Sequence, residues 1–139
     1  MEECIFCKIA AGEIPSSTVY EDDYFKAILD LSPATVGHTI IIPKKHMKDV
    51  TELEEEYSSR ILTVAAKIGT AMEKALGCTG FNLVQNNGES AGQTVMHFHM
   101  HVIPRYDGGN KIVTWPQMET QSEDREATAQ KIKMQLSSM

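Results

Sequence analysis

Within a strand read over 95–104, apolar and polar side chains alternate one by one from Met96 to Val102, the period of a half-buried strand. Phe98, Met100 and Val102 fall on one face, and His97, His99 and His101 on the other. A second pattern runs from 51 to 76. Ile61, Val64, Ala65, Ile68, Met72 and Leu76 recur at steps of three and four, the stripe of an amphipathic helix. Thr51-Glu52-Leu53-Glu54 at its start resembles a capping box, Glu54 to Glu56 suit a helix N-terminus, and Gly77 is a natural C-terminal cap. Shorter runs complete the outline. A small element spans 4–11 and is closed by Gly12 and Pro15. β-rich runs span 17–21 and 25–30, with Asp22-Asp23 turning between them. Ile40-Ile41-Ile42 marks a buried strand over 38–43 that ends at a proline, and 81–85 reads as a further strand leading into the Asn86-Asn87-Gly88 turn. The tail, 122–136, has the composition of a polar helix. Strands, one long helix, then strands predict an α+β fold: an antiparallel sheet with the helix on one face.

Composition narrows the function. The 139 residues suffice for one core, and a 42% share of hydrophobic residues excludes global disorder. Thirteen basic against nineteen acidic residues give a net charge of −6, which argues against nucleic acid or an anionic membrane as partner. It leaves room for one small anion held by local donors. No apolar run approaches the ~20 residues of a membrane span, and the acidic start Met1-Glu2-Glu3-Cys4 lacks a signal-peptide pattern, so a cytoplasmic protein is expected. Cys4 and Cys7 are spaced for a metal or a redox role, and Cys78 reads as a small packed residue.

Three histidines at every second strand position stand roughly 7 Å apart along one face, within reach of a single ligand. A solvated polar face would explain a single such histidine but accounts poorly for a row of three. A purely metal-binding row leaves the loop 86–94 without a purpose, although its amides, hydroxyls and flexible backbone are the donors an anionic oxygen needs.

The stretch His97-Phe98-His99-Met100-His101-Val102-Ile103, preceded by Gly92-Gln93-Thr94, resembles the His-x-His-x-His signature of the histidine triad (HIT) superfamily. The resemblance extends through Ile14-Pro15, Glu21-Asp22-Asp23, Leu29 to Pro33 and Gly37 to His46. It covers about 4–105 and is nearest to the Hint-type branch, in its bacterial form with an N-terminal Cys-x-x-Cys. It implies a HIT domain over 4–105 and a partly helical extension over 106–139 packing on the same domain. The fold it implies is a roughly five-stranded antiparallel sheet with one long helix and short terminal helices. A sheet of this size leaves an edge uncovered, and the resemblance implies a homodimer with a continuous sheet and the long helix near the twofold axis.

The implied chemistry is hydrolysis or transfer of a nucleoside monophosphate from AMP-type phosphoramidates, adenylates or dinucleotides. The alternative is a purine-nucleotide-binding regulatory module with little turnover. Carried onto this sequence, His99 is the nucleophile that forms a nucleotidyl-histidine. His101 contacts the phosphate and assists the leaving group, while His97 and Thr94 complete the catalytic set. Gln93, Thr94, Asn86 and Gly92 surround the phosphate, and Asp30 binds the ribose hydroxyls. Phe6, Ile9, Ile28 and Leu31 surround a purine base of AMP or GMP type. Taken alone, Asp30 before Ser32-Pro33 reads equally well as a turn aspartate, and each apolar position as core. Relatives with the cysteine pair complete a structural zinc site with residues here numbered His46 and His97, beside Cys4 and Cys7. A redox or packing role for the pair stays open, since animal Hint-type relatives lack it. His38 is either a hydrogen-bonded core histidine or part of a relay behind the nucleophile.

Overall fold

The structure, a computed structural model, describes residues 3–111 and 113–139; Met1 and Glu2, which belong to the acidic start, lie outside the described residues. A short helix α1 (Ile5–Ala10) is followed by β1 (Thr18–Glu21), β2 (Phe25–Leu29), β3 (Thr39–Pro43), the long helix α2 (Glu55–Leu76), β4 (Gly80–Val84), β5 (Met100–Arg105) and a terminal helix α3 (Ser122–Ser137). The strands form one antiparallel sheet in the order β1-β2-β3-β5-β4. No described helix is long and apolar enough to cross a membrane.

The alternation of side chains divides the core in two. Phe25, Ala27, Ile41, Phe98 and Val102 face α2 and meet Ile61, Val64, Ala65, Ile68 and Met72, the stripe read from the sequence. The opposite face carries Ile28, Ile40 and Ile42, covered by Phe6 and Ile9 of α1. The buried Lys26 ammonium donates to the Ile9 carbonyl (3.0 Å) and pins α1 to the sheet. Gly69 lets α2 approach β4, because a Cβ there would overlap the Phe81 ring.

Two boundaries differ from the pattern. The long helix begins at Glu55 rather than at residue 51. Asp49 caps a separate 3-10 turn (Val50–Glu52) by accepting from the Thr51 N–H, and Glu52 accepts from the Lys48 N–H, so Thr51 and Glu52 serve that turn instead of α2. The last strand begins at Met100 rather than at 95. Ile41 pairs with Met100, so continuing the register would set Phe98 opposite Pro43, which has no N–H to donate. The Phe98 N–H turns instead to the Met47 carbonyl (2.7 Å). The alternation of faces nevertheless continues upstream, since Phe98 is buried under α2 and His97 and His99 lie on the α1 side.

The C-terminal segment forms the expected helix, α3, but all its residues except Ala129 are exposed.

Candidate active site

His97, His99 and His101 each have a distinct hydrogen-bonding environment, and that environment fixes where each ring carries its proton. The Nδ1–H of His99 donates to the carbonyl of His97 (2.8 Å), which leaves the Nε2 lone pair free. Phe6 packs edge-on against the His99 ring, at 4.9 Å between centroids. His101 is arranged the other way round. The Ala34 N–H donates to Nδ1 of His38 (3.0 Å), so neutral His38 carries its proton on Nε2. That Nε2–H donates to Nδ1 of His101 (2.8 Å), and the remaining proton of His101 therefore sits on its own Nε2. Two rings with centroids 5.1 Å apart thus present a lone pair and an N–H side by side. Burial lowers the pKa of His99 below the usual histidine value. Burial, then the neighbouring His99 and His38, bring His101 to about 4. Both rings are neutral near pH 7.

His97 faces away from this pair. It is fully buried and its Nε2–H donates to the Pro43 carbonyl (2.8 Å). Its Nδ1 lone pair meets Cys4 Sγ at 3.3 Å, Cys7 Sγ at 3.5 Å and His46 Nδ1 at 3.2 Å, and Cys7 Sγ lies 3.3 Å from His46 Nδ1. A tetrahedron around zinc has edges of about 3.3–3.8 Å for nitrogen and sulfur donors. The four distances named, 3.2–3.5 Å, lie at or near the short end of that range, and all four donors lie within 4.8 Å of one another, so together they could hold a metal ion. Burial and the adjacent Cys4 raise the Cys7 thiol to about 11, and a dication is the charge that would reverse this.

Other residues singled out in the sequence take more varied places. Asp30 Oδ1 accepts from the Ser32 N–H (2.8 Å), as a turn aspartate does, and Oδ2 lies 3.5 Å from His38 Nε2. Gln93 is engaged by backbone around its own loop. Its Oε1 accepts from the Gly88 N–H, and its Nε2 hydrogens go to the Lys48 and Val95 carbonyls. The buried side chain braces the loop that leads into the histidine row. Asn86 lies beside Gly92, whose φ of 95° is the left-handed turn that a glycine accommodates. Thr94 is exposed and, with Cys4 and His46, borders a surface pocket of about 510 Å³ next to the metal-ligating set. Phe6, Ile9 and Ile28 are buried in the core beneath the histidines, whereas Leu31 is fully exposed at the rim.

The pairing of His38 with His101 was not assigned from the sequence. It follows from the β3–β5 register, in which Ile40 faces His101 and places His38 diagonally across on the same face. The signal available was a histidine at the start of each of two strands with matching inward positions.

Comparison with known proteins fits this geometry. The HIT domain family matches residues 11–108. "Protein hit" of Bacillus subtilis is 49% identical over 109 residues, covering 78% of this chain and 75% of that protein. "Adenosine 5'-monophosphoramidase HNT1" of Saccharomyces cerevisiae is 42% identical over 118 residues, 84% of this chain and 72% of that protein. Among solved structures, SMU.412c of Streptococcus mutans aligns at a TM-score of 0.91 with 40% identity, covering 98% of this chain and 87% of that one. A zinc-bound histidine triad family protein of Mycobacterium smegmatis aligns at a TM-score of 0.75 with 36% identity, covering 96% and 98%. The histidine row, the five-stranded sheet and these matches agree, and the chain belongs to the HIT domain family.

Proposed function

We propose that the protein is a hydrolase or nucleotidyl transferase that cleaves AMP-type phosphoramidates, adenylates or dinucleotides through a nucleotidyl-histidine on His99. The observation that carries this reading is the pair of opposite tautomers, a free lone pair on His99 beside an N–H on His101. An imidazole lone pair in a buried, neutral ring is a nucleophile ready at neutral pH. In the first step Nε2 of His99 bonds to the α-phosphorus, and the bond from phosphorus to the leaving group breaks with its electron pair. A carboxylate or sulfate leaves without a proton. An amine needs one, and the His101 Nε2–H is the donor beside it. In the second step water attacks phosphorus and the P–N bond breaks with its electron pair returning to Nε2 of His99; the water proton goes to Nε2 of His101 where that was given to an amine, and to solvent where the leaving group took none. Asp30, with one oxygen outside the turn, is the acceptor for ribose hydroxyls. The similarity to the yeast adenosine 5'-monophosphoramidase supports an AMP derivative as substrate.

The metal in this reading is zinc held by Cys4, Cys7, His46 and His97, a closed four-ligand set that supplies structural cross-linking rather than a site for substrate. The zinc-bound relative supports the choice of ion. A ligand role for His97 would tie the strand carrying His99 to α1, whose Phe6 touches the His99 ring. The proposed setting is a cytoplasmic homodimer. Turnover of a fluorogenic adenosine phosphoramidate tests the function. His99→Ala should lose several orders of magnitude in rate while still binding AMP, and retention of more than about a tenth of the wild-type rate would rule the covalent route out.

A further inference from the structure

On the sheet face opposite the histidines, the C-terminal half of α2 leaves an apolar groove of about 560 Å³. Val19, Leu29 and Val36 line one side and Ala71, Ala75 and Leu76 the other. Val36 is 76% exposed, Val19 50% and Leu76 43%, an uncovered apolar surface at the edge of a small core.

The same chain carries an unpartnered helix. All but one residue of α3 are exposed in the single chain, and none of its residues lines this groove. A lone helix of this length is marginal in water, so α3 needs a surface. Its composition is polar overall, but Ala129, Ile132 and Leu136 form one stripe at steps of three and four. The stripe is about 10 Å long, and the groove from Lys67 to Leu76 of α2 about 14 Å.

We propose that α3 of one chain docks in this groove on a second copy, as an exchanged arm. The sixteen-residue connection between β5 and α3 can extend to about 50 Å, enough to reach a neighbouring copy. Running antiparallel to α2, the helix sets Ala129 by Ala75, Ile132 by Ala71 and Leu136 by Ile68. This orientation also brings the acidic first turns of α3, with Glu126, towards Lys74 and opposes the two helix dipoles. The exchange goes beyond dimerisation through a sheet edge, because each copy lacks part of its apolar cover without the other.

Two full-length variants test it by complementation. Ala71→Asp spoils the groove and leaves α3 intact; Leu136→Asp spoils α3 and leaves the groove intact. Both positions are exposed in the single chain, so each variant should fold, with amide exchange in β5 and in the buried face of α2 as the control. Amides of α3 should exchange at least about tenfold faster in either variant than in the wild type. When the two variants are refolded together, the α3 peptide bearing Leu136 should regain protection, because it meets an intact groove on the other chain. The two α3 peptides differ in mass and are read separately. No regain on mixing would mean that α3 docks within its own chain, and the proposal fails. It fails equally if wild-type α3 is unprotected, or if Ala71→Asp leaves its protection unchanged and another surface or partner holds it.

Discussion

Replacing His38 by Phe keeps a ring of similar size in the strand but removes the N–H that His38 gives to Nδ1 of His101 at 2.8 Å. His101 then has no donor fixing its tautomer, and its proton can move to Nδ1, towards Asp30. The N–H beside the scissile bond is lost in that form. A hydrogen bond of a buried group is worth about 1–3 kcal/mol when a partner is left unsatisfied. At 1.36 kcal/mol per decade this predicts a fall in kcat/KM of roughly 5- to 150-fold, borne mainly by kcat. The assay is steady-state hydrolysis of an adenosine phosphoramidate. An adenylate whose carboxylate leaves without a proton should suffer less than the amide substrate. His38→Gln, which can still donate, should recover part of the rate. Equal losses on both substrates with no recovery by Gln would refute the relay and reduce His38 to a packed core residue.

Activity requires neutral His99, whose pKa lies below the usual histidine value, so kcat/KM should stay flat from pH 7.5 to below 6.5; an acid limb at 6.5 or above contradicts this. His101 binds its proton in the unfolded chain near 6.5 but in the folded chain only near 4, so its contribution to stability is intact above 6.5 and should be lost on acidification towards 4, read as falling melting temperatures. Asp30→Asn keeps an acceptor for the turn but should weaken ribonucleotides by about 1–3 kcal/mol relative to 2′,3′-dideoxy analogues, measured by calorimetry; equal weakening would remove Asp30 from the ribose site. The double change of Cys4 and Cys7 to Ser should abolish stoichiometric zinc and lower thermal stability while sparing part of the turnover at low temperature. Wild-type protein prepared without chelators and carrying less than about a tenth of an equivalent would eliminate the metal centre.

What the sequence made legible was local periodicity. The stripe from Ile61 to Met72 and the alternation from His97 to Val102 identify buried faces without any knowledge of their partners. The cysteine pair was legible for the same reason, because its two donors lie within one turn. What escaped depends on contacts between distant segments. The true start of α2 is hidden by Asp49, which captures Thr51 for a separate turn. Pro43 shortens β5 from the neighbouring strand, which nothing in residues 95–99 reveals. Gln93 is a polar residue in a polar loop, and only its three partners, Gly88, Lys48 and Val95, show that it braces the backbone. The tautomers of His99 and His101 follow from a carbonyl and from His38, one local and one across the sheet.

The stereochemical course at phosphorus tests the central claim most directly. A substrate with a chiral thiophosphate at the α-position is hydrolysed in oxygen-labelled water, and the configuration of the nucleoside thiophosphate product is determined. Two in-line displacements, the first by His99 and the second by water, predict retention. Inversion would mean a single attack by water, with His99 acting as a base rather than as the nucleophile.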